Sequence, residues 1–505
     1  MQSVQILVVI VTVILATGGC ALAERPGADT SAGGAGDGVR FEAMVQAQVV
    51  TDRASTGGVS LVDYDADGDI DLFVTNGYDV SAEAPTPQRN RLYRNDGGLF
   101  VAVDEGPLVE DEGFSSGSTW ADFDNDGDLD VFVSNQQDQD NFLYRNEGNG
   151  RFSRITEGMV VSDGGHSYSA SWVDADNDGW VDLFVANGGM SHAQVNFLYR
   201  NLGDGTFQRV TEGDIVSGED ASCGMAWGDY DTDGDQDLVV TNYRFGTSPA
   251  LYRNDGQFSF SRVEGMLDEP VFASSAAAWA DLDNDGDLDL VVSGVFGFAN
   301  RIYINRGGGQ LERVATDAAS LEGGNSYALT VFDVENDGDQ DLVVANWGSA
   351  PAIYLNDGTG RFTSLDVTRM GVGIAFASSV ASGDLDRDGL LDVVIGSWPN
   401  RRGPDEENIL LVNHSTGGNW LEVQLEGTAS NTAGIGARIE VIVPDGRQIR
   451  EVQAHSGWRS QSDLVQHFGL GPHSAVDIVV RWPSGREDQL TGITTNRRIV
   501  IAEGS

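Results

Sequence analysis

Asp174-Ala175-Asp176-Asn177-Asp178-Gly179-Trp180-Val181-Asp182 sets carboxylates at alternate positions, a glycine at the sixth and an acid again at the ninth. Ser169-Ala170-Ser171-Trp172-Val173 precedes it and Leu183-Phe184-Val185 follows it. Flanks so rich in small, β-branched and aromatic residues read as two strands joined by an acidic turn. The pattern D-x-[DE]-x-D-G-x-x-D occurs seven times, starting at Asp63, Asp122, Asp174, Asp229, Asp281, Asp333 and Asp384, at intervals of 51 to 59 residues. A recurring period of that size is the signature of a repeat architecture.

Each unit continues in the same way. A third strand, Asn196-Phe197-Leu198-Tyr199-Arg200-Asn201, is echoed at Asn90–Asn95, Asn141–Asn146 and Asn300–Asn305, and a Gly-rich turn leads to a fourth strand marked by Phe152, Phe207 or Phe362. Four strands in roughly fifty residues is the size of a propeller blade. The fourth-strand marker Phe41 precedes the first acidic turn, whereas the last third strand, Asn408 to Asn413, has no fourth strand after it. The segment around Phe41 is therefore expected to complete the last blade and remove the seam. The predicted fold is all-β: a seven-bladed β-propeller over residues 41–413, then a small antiparallel β-sandwich over residues 419–503. Alternating runs at Trp420–Leu425, Arg438–Val443 and Val476–Trp482, punctuated by Pro-x-Gly turns, carry the second assignment.

The acidic turns have the chemistry of a hard-cation site, because a cation taking six to eight oxygen ligands suits carboxylates at alternate positions. In the first turn the candidate ligands are Asp63, Asp65, Asp67, Asp69 and Asp71, with Gly68 allowing the sharp bend. The second offers Asp122, Asp124, Asp126, Asp128 and Asp130, and the third Asp174, Asp176, Asp178, Trp180 and Asp182. The fourth offers Asp229, Asp231, Asp233, Asp235 and Asp237, and the fifth Asp281, Asp283, Asp285, Asp287 and Asp289. The sixth has Asp333, Glu335, Asp337, Asp339 and Asp341, and the seventh Asp384, Asp386, Asp388, Leu390 and Asp392. Trp180 and Leu390 stand where only a backbone carbonyl is needed. Position twelve is apolar throughout, from Val74 to Ile395, so an EF-hand with its bidentate Glu is excluded. Magnesium prefers stricter octahedral geometry, and zinc prefers nitrogen and sulfur. The expected cofactor is Ca²⁺, up to seven ions.

The rest of the composition agrees with that reading. Against 78 Asp and Glu stand 30 Lys and Arg, a formal charge of −48, which repels nucleic acid. A hydrophobic share of 40% and 10 Trp argue for a folded body. Residues 1–23 read as an export signal, with an apolar run from Ile6 to Ala16 too short to span a bilayer. Ala21-Leu22-Ala23 fits signal-peptidase cleavage, and Thr17-Gly18-Gly19-Cys20 resembles a lipoprotein box that would place a lipid anchor on Cys20. Residues 24–40 read as a flexible linker. The expected location is extracytoplasmic: secreted, periplasmic or on the outer surface.

With these motifs in hand, the units resemble the FG-GAP/VCBS repeats of integrin α-subunit propellers, through D-x-D-x-D-G-x-x-D and the N-x-L-Y-x-N-x-G-x-G-x-F tail. Residues 419–503 resemble the ASPIC/UnbV domain, through Asn431, Gly434-Ile435-Gly436-Ala437-Arg438, His467-Phe468-Gly469-Leu470-Gly471 and Arg481-Trp482-Pro483-Ser484-Gly485. The combination is similar to the cartilage acidic protein family and its bacterial members. The resemblance implies extracellular calcium binding and supplies no settled biochemical activity.

Acidic turns between first and second strands all fall on one face of a propeller, and loops between second and third strands on the other. Those second loops carry Tyr78, His192, Tyr243, Phe245, Phe296, Trp347 and Trp398, with His166 nearby, and make up the expected ligand face. Aromatic faces beside Asn and Asp suit a glycan or an extracellular protein, so binding or adhesion is the leading expectation. A calcium-dependent, lyase-like carbohydrate enzyme is the alternative, with His166 or His192 as base and Arg401 and Arg402 neutralising an acidic sugar. No nucleophile motif, zinc cluster or phosphate cradle is present, which favours binding over catalysis.

Overall fold

The computed structural model describes residues 38–505 apart from 46, 53, 78–85, 190–191, 268–271, 315–317, 322–323, 368–374 and 399–406. The export signal, Cys20, most of the linker, Tyr78, Arg401 and Arg402 lie outside the described residues.

Strand formation follows the acidic turns closely. In every repeat the ninth-position acid is the first residue of the second strand: Asp71, Asp130, Asp182, Asp237, Asp289, Asp341 and Asp392. Among the described residues the chain makes seven such four-stranded antiparallel units. The first comprises Thr56–Val62, Asp71–Asn76, Arg91–Asn95 and Phe100–Val103. The last comprises Ala375–Gly383, Asp392–Ser397, Ile409–Asn413 and Phe41–Ala43. Phe41 pairs with Asn413 and Ala43 with Leu411, so the segment before the first turn completes the final unit. First strands of successive units pack side by side, and that of the first unit also packs on that of the seventh, which closes the ring. The sixth and seventh units are further joined by Trp347 pairing with Phe376, because the second strand Asp341–Ser349 runs on past its usual length.

Tight packing explains the small residues of the first strands. Thr56–Val62, Ser115–Ala121, Ser167–Val173 and Ser222–Gly228 are buried along their whole length. Their Trp residues fill the space between units. Trp120 meets Phe73 of the preceding unit at 5.5 Å and Phe152 of its own fourth strand at 5.9 Å, and Trp227 sits in the same way between Phe184 and Phe260. Buried aromatic contacts of this kind contribute about 0.5–1.5 kcal/mol each beyond their area.

The C-terminal region forms two sheets. One has Gly446–Glu451, Arg438–Val443, Ala475–Arg481 and Glu487–Thr494 in antiparallel order. In the other, Asn419–Glu426 pairs antiparallel with Gln466–Gly471 and parallel with Arg497–Ala502. That parallel pair departs from the wholly antiparallel sandwich expected from the turns. It arises because the final strand returns after a long excursion through the other sheet.

This region belongs to the same compact unit as the ring, Gly38–Ser505. From it the segment Gln453–Asp463 enters the ring and bonds to its first strands. Gln461 exchanges backbone bonds with Val59 and Leu61, and its side chain holds both the N–H and the carbonyl of Trp120. Ala454 pairs with Trp172 and accepts from the Thr119 hydroxyl, Gly457 pairs with Ala277, and the Ser460 hydroxyl accepts from the Val380 N–H. A Cβ on Gly58 would overlap the Arg459 carbonyl, and one on Gly457 that of Leu329, so both contacts require glycine.

Candidate metal centres

The acidic turns share one hydrogen-bonding scheme. The first-position carboxylate accepts from the N–H groups of positions five and six, as Asp63 does from Asp67 at 3.1 Å and Gly68 at 2.9 Å. The fifth-position carboxylate accepts from the N–H of position seven, whether that residue is Asp69, Trp180 or Leu390. That bond needs only the backbone of position seven, which explains how Trp and Leu are tolerated. The fourth position takes a left-handed conformation in every turn, at Ala66, Asn125, Asn177, Thr232, Asn284, Asn336 and Arg387, and Asn is among the side chains best suited to it.

The ninth-position acid is the anchor. Asp71 accepts from Tyr64 N–H at 3.2 Å and Asn95 N–H at 2.7 Å, and its equivalents do the same through Asp392. Each anchor is essentially inaccessible. First-position acids are buried or half-buried, third-position acids half-buried except the exposed Asp386, and fifth-position acids exposed.

These groups converge. Oxygens of Asp63, Asp65 and Asp71 lie within 4.8 Å of one another, as do those of Asp122, Asp124 and Asp130, of Asp174, Asp176 and Asp182, and of Asp229, Asp231 and Asp237. In the fifth turn Asp281, Asp283 and Asp285 converge likewise. One oxygen of the third-position acid is buried without a hydrogen-bond partner in six turns, at Asp65, Asp124, Asp176, Asp231, Asp283 and Glu335. The other oxygen of Asp124, Asp176 and Asp283 faces Arg145, Arg200 and Arg306. A buried carboxylate oxygen lacking a partner is costly, and a cation relieves that cost. The donor set is all oxygen, so the turns fit a hard cation.

Electrostatics agree. Burial pushes the carboxyl of Asp71 up to about 8 and that of Asp130 and Asp237 up to about 9, with neighbouring acids adding to the rise and backbone N–H donors opposing it. First-position acids Asp174, Asp281 and Asp384 rise to about 7, again chiefly through burial.

The C-terminal region covers these turns. Thr432 donates to Asp122 at 2.8 Å, Glu451 accepts from Asp229 N–H at 3.1 Å, and Arg438 and Arg447 donate to the carbonyls of Gly286 and Asp285. His467 Nε2 bonds Asn336 at 2.7 Å, and Trp420 lies against Gly389. This docking is not announced by any repeat or spacing in the sequence. The motif residues Arg438 and His467 were its signal, since polar residues in a β motif with no catalytic partner must be satisfied elsewhere.

On the opposite face the expected ligand surface is corrected. Tyr243, Trp398 and His166 are buried: Tyr243 and Trp398 pack on Trp458 from the inserted segment, and His166 lies against His192 with ring centroids 4.4 Å apart. Burial, then the His192 charge, holds His166 down to about 4. Trp347 is half-buried, whereas Phe245 and Phe296 remain 66% and 43% exposed.

Comparison with known proteins agrees with the motif reading. The FG-GAP-like repeat family matches residues 63–133, 122–185, 174–240, 229–292 and 333–395, and the ASPIC and UnbV family matches residues 427–505. Cartilage acidic protein 1 of Homo sapiens is 23% identical over 487 residues, covering 85% of this chain and 69% of the human protein. The Mus musculus protein of that name is 23% identical over 475 residues, covering 85% and 70%. Among solved structures, the BP39L lectin from Burkholderia pseudomallei superposes with a TM-score of 0.51 at 11% identity, over 73% of this chain and 98% of the lectin, a likeness of fold alone. Among the described residues no helix is long and apolar enough to cross a membrane.

Proposed function

This chain belongs to the FG-GAP-like repeat family and carries an ASPIC and UnbV domain, and from that premise we propose that it is an extracytoplasmic, calcium-loaded binding module. The acidic turns hold Ca²⁺, and the opposite face engages a glycan or an extracellular protein. The observation that carries the calcium reading is the buried, partnerless oxygen of the third-position acid in six of the turns. Calcium, with six to eight oxygen ligands, accepts mixed carboxylate and carbonyl oxygens in the flexible geometry such turns offer. An extracytoplasmic location suits a calcium protein whose N-terminal sequence reads as an export signal.

Ligand binding is assigned to the surface around Phe245 and Phe296, because exposed aromatic faces on a rigid scaffold suit sugar rings or apolar protein side chains. The test is a glycan array probed in calcium and again in chelator. Calcium-dependent retention without turnover of the retained sugar supports the reading. Product release from a sugar substrate would contradict a pure binding role.

A further inference from the structure

The inserted segment joins the two faces of the ring. It starts from the region that covers the acidic turns, and Trp458 and Arg459 lie against the aromatic side chains of the other face. Trp458 is fully buried, with ring centroids 5.3 Å from Tyr327, 5.9 Å from Trp398 and 6.1 Å from Tyr243. The Arg459 guanidinium lies 4.7 Å from the rings of both Tyr168 and Trp398. Tyr243 in turn supports the half-exposed Phe296 at 5.2 Å, and Trp398 supports Trp347 at 5.5 Å. Trp458 is thus the floor on which the aromatic face rests.

At the other end, the covering region grips the turns through the Asp122 carboxylate, the Asp285 and Gly286 carbonyls and the Asn336 side chain. Those atoms keep their places only while the turns stay closed. A turn stripped of its cation holds several acidic groups within a few ångströms, and as they ionise their repulsion favours opening. Both ends of the segment stay on the C-terminal region, so it can withdraw as a loop without unthreading.

We propose that Gln453–Asp463 is a coupling rod through which the metal-bearing turns on one face order the aromatic surface on the other. The inference rests on the calcium reading above. It has the elements that coupling requires: two separate sites, two states, and contacts made in only one of them. With cation bound, the covering region is seated and Trp458 supports Tyr243 and Trp398. Without cation the region loses its grip, the rod withdraws, and the aromatic face loses its floor.

Hydrogen exchange on the full chain, with bound calcium counted in parallel, tests the proposal. In calcium, amides of residues 453–463 are protected. After chelation they exchange at least tenfold faster, together with residues 243–245 and 296–298, while the inner strand Ser222–Gly228 stays protected. Arg447→Ala, a change at a half-exposed side chain, speeds exchange of residues 453–463 in calcium without changing the calcium count. Trp458→Ala leaves the calcium count intact and loosens residues 243–245. Calcium release that leaves residues 453–463 protected, or that exposes them only in step with Ser222–Gly228, overturns the rod alone. Protein that holds no calcium before chelation overturns the rod and the calcium reading together.

Discussion

The side-chain amide of Asn95 donates to the carbonyl of Leu385 at 2.8 Å, which ties the first unit of the ring to the last. It also donates to Ile70 of its own unit at 3.0 Å. The same bond recurs around the ring: Asn146 to Tyr64, Asn201 to Phe123, Asn254 to Ala175, Asn305 to Tyr230, Asn356 to Leu282 and Asn413 to Val334. Each amide thereby fixes the second residue of the preceding acidic turn, so ring closure and turn geometry share one residue. Asn95→Ala strands two buried carbonyls and is expected to cost about 2 kcal/mol, read as a lower denaturation midpoint. A cost near zero would mean that the ring does not depend on its staples.

Third and seventh positions of the turns should respond differently to truncation. Asp65→Ala removes a converging carboxylate and is expected to abolish one equivalent of bound calcium. Asp69→Ala leaves the backbone of position seven in place, as Trp180 and Leu390 do naturally, and is expected to keep the count unchanged. Calcium content after dialysis distinguishes the two. Equal losses would assign the Asp69 side chain to the metal shell.

Without cation, stability should depend on pH in an unusual direction. Burial raises the folded-state carboxyls of Asp71, Asp289 and Asp392 to about 8, well above their unfolded value. The folded chain then binds more protons than the unfolded one, so the contribution is full below about pH 4 and is lost as pH rises toward 8. The melting temperature in chelator is expected to fall between pH 5 and pH 8, and saturating calcium to flatten that slope. A melting temperature in chelator that rises over this window would contradict the assignment.

Glu503 shows the opposite sign. Burial pushes its carboxyl up, but N–H donors of Ser430, Thr428 and Ala429 and the Ser484 hydroxyl outweigh that and hold it down to about 2. Its contribution is present above the unfolded value and is lost as pH falls through about 2. Glu503→Gln is expected to cost about 2 kcal/mol at neutral pH, with the deficit shrinking below pH 4. A deficit independent of pH would show that charge is not what Glu503 supplies.

The repeat, the ring closure at Phe41 and the acidic turns were legible in the sequence because each is a local pattern repeated many times. The second-strand start at every ninth-position acid follows from the same periodicity. What lay beyond it was the relation between the two regions. Gln453–Asp463 carries three Ser and two Gln and reads as an ordinary polar loop, yet its Trp458 and Arg459 are among the most buried large side chains of the described residues. Burial of Tyr243 and Trp398 was hidden for the same reason. Their partner lies more than fifty residues away in another region, and no one-dimensional pattern pairs them.

Calcium loading of the acidic turns is tested most directly by the thermal melting of the full chain at neutral pH with calcium and with EDTA. A turn that holds calcium would stabilise the folded state by about 4 kcal/mol when free calcium is a thousandfold above its dissociation constant. A large drop in melting temperature in EDTA, restored by added calcium, is expected. A melting curve unchanged by chelation would contradict it.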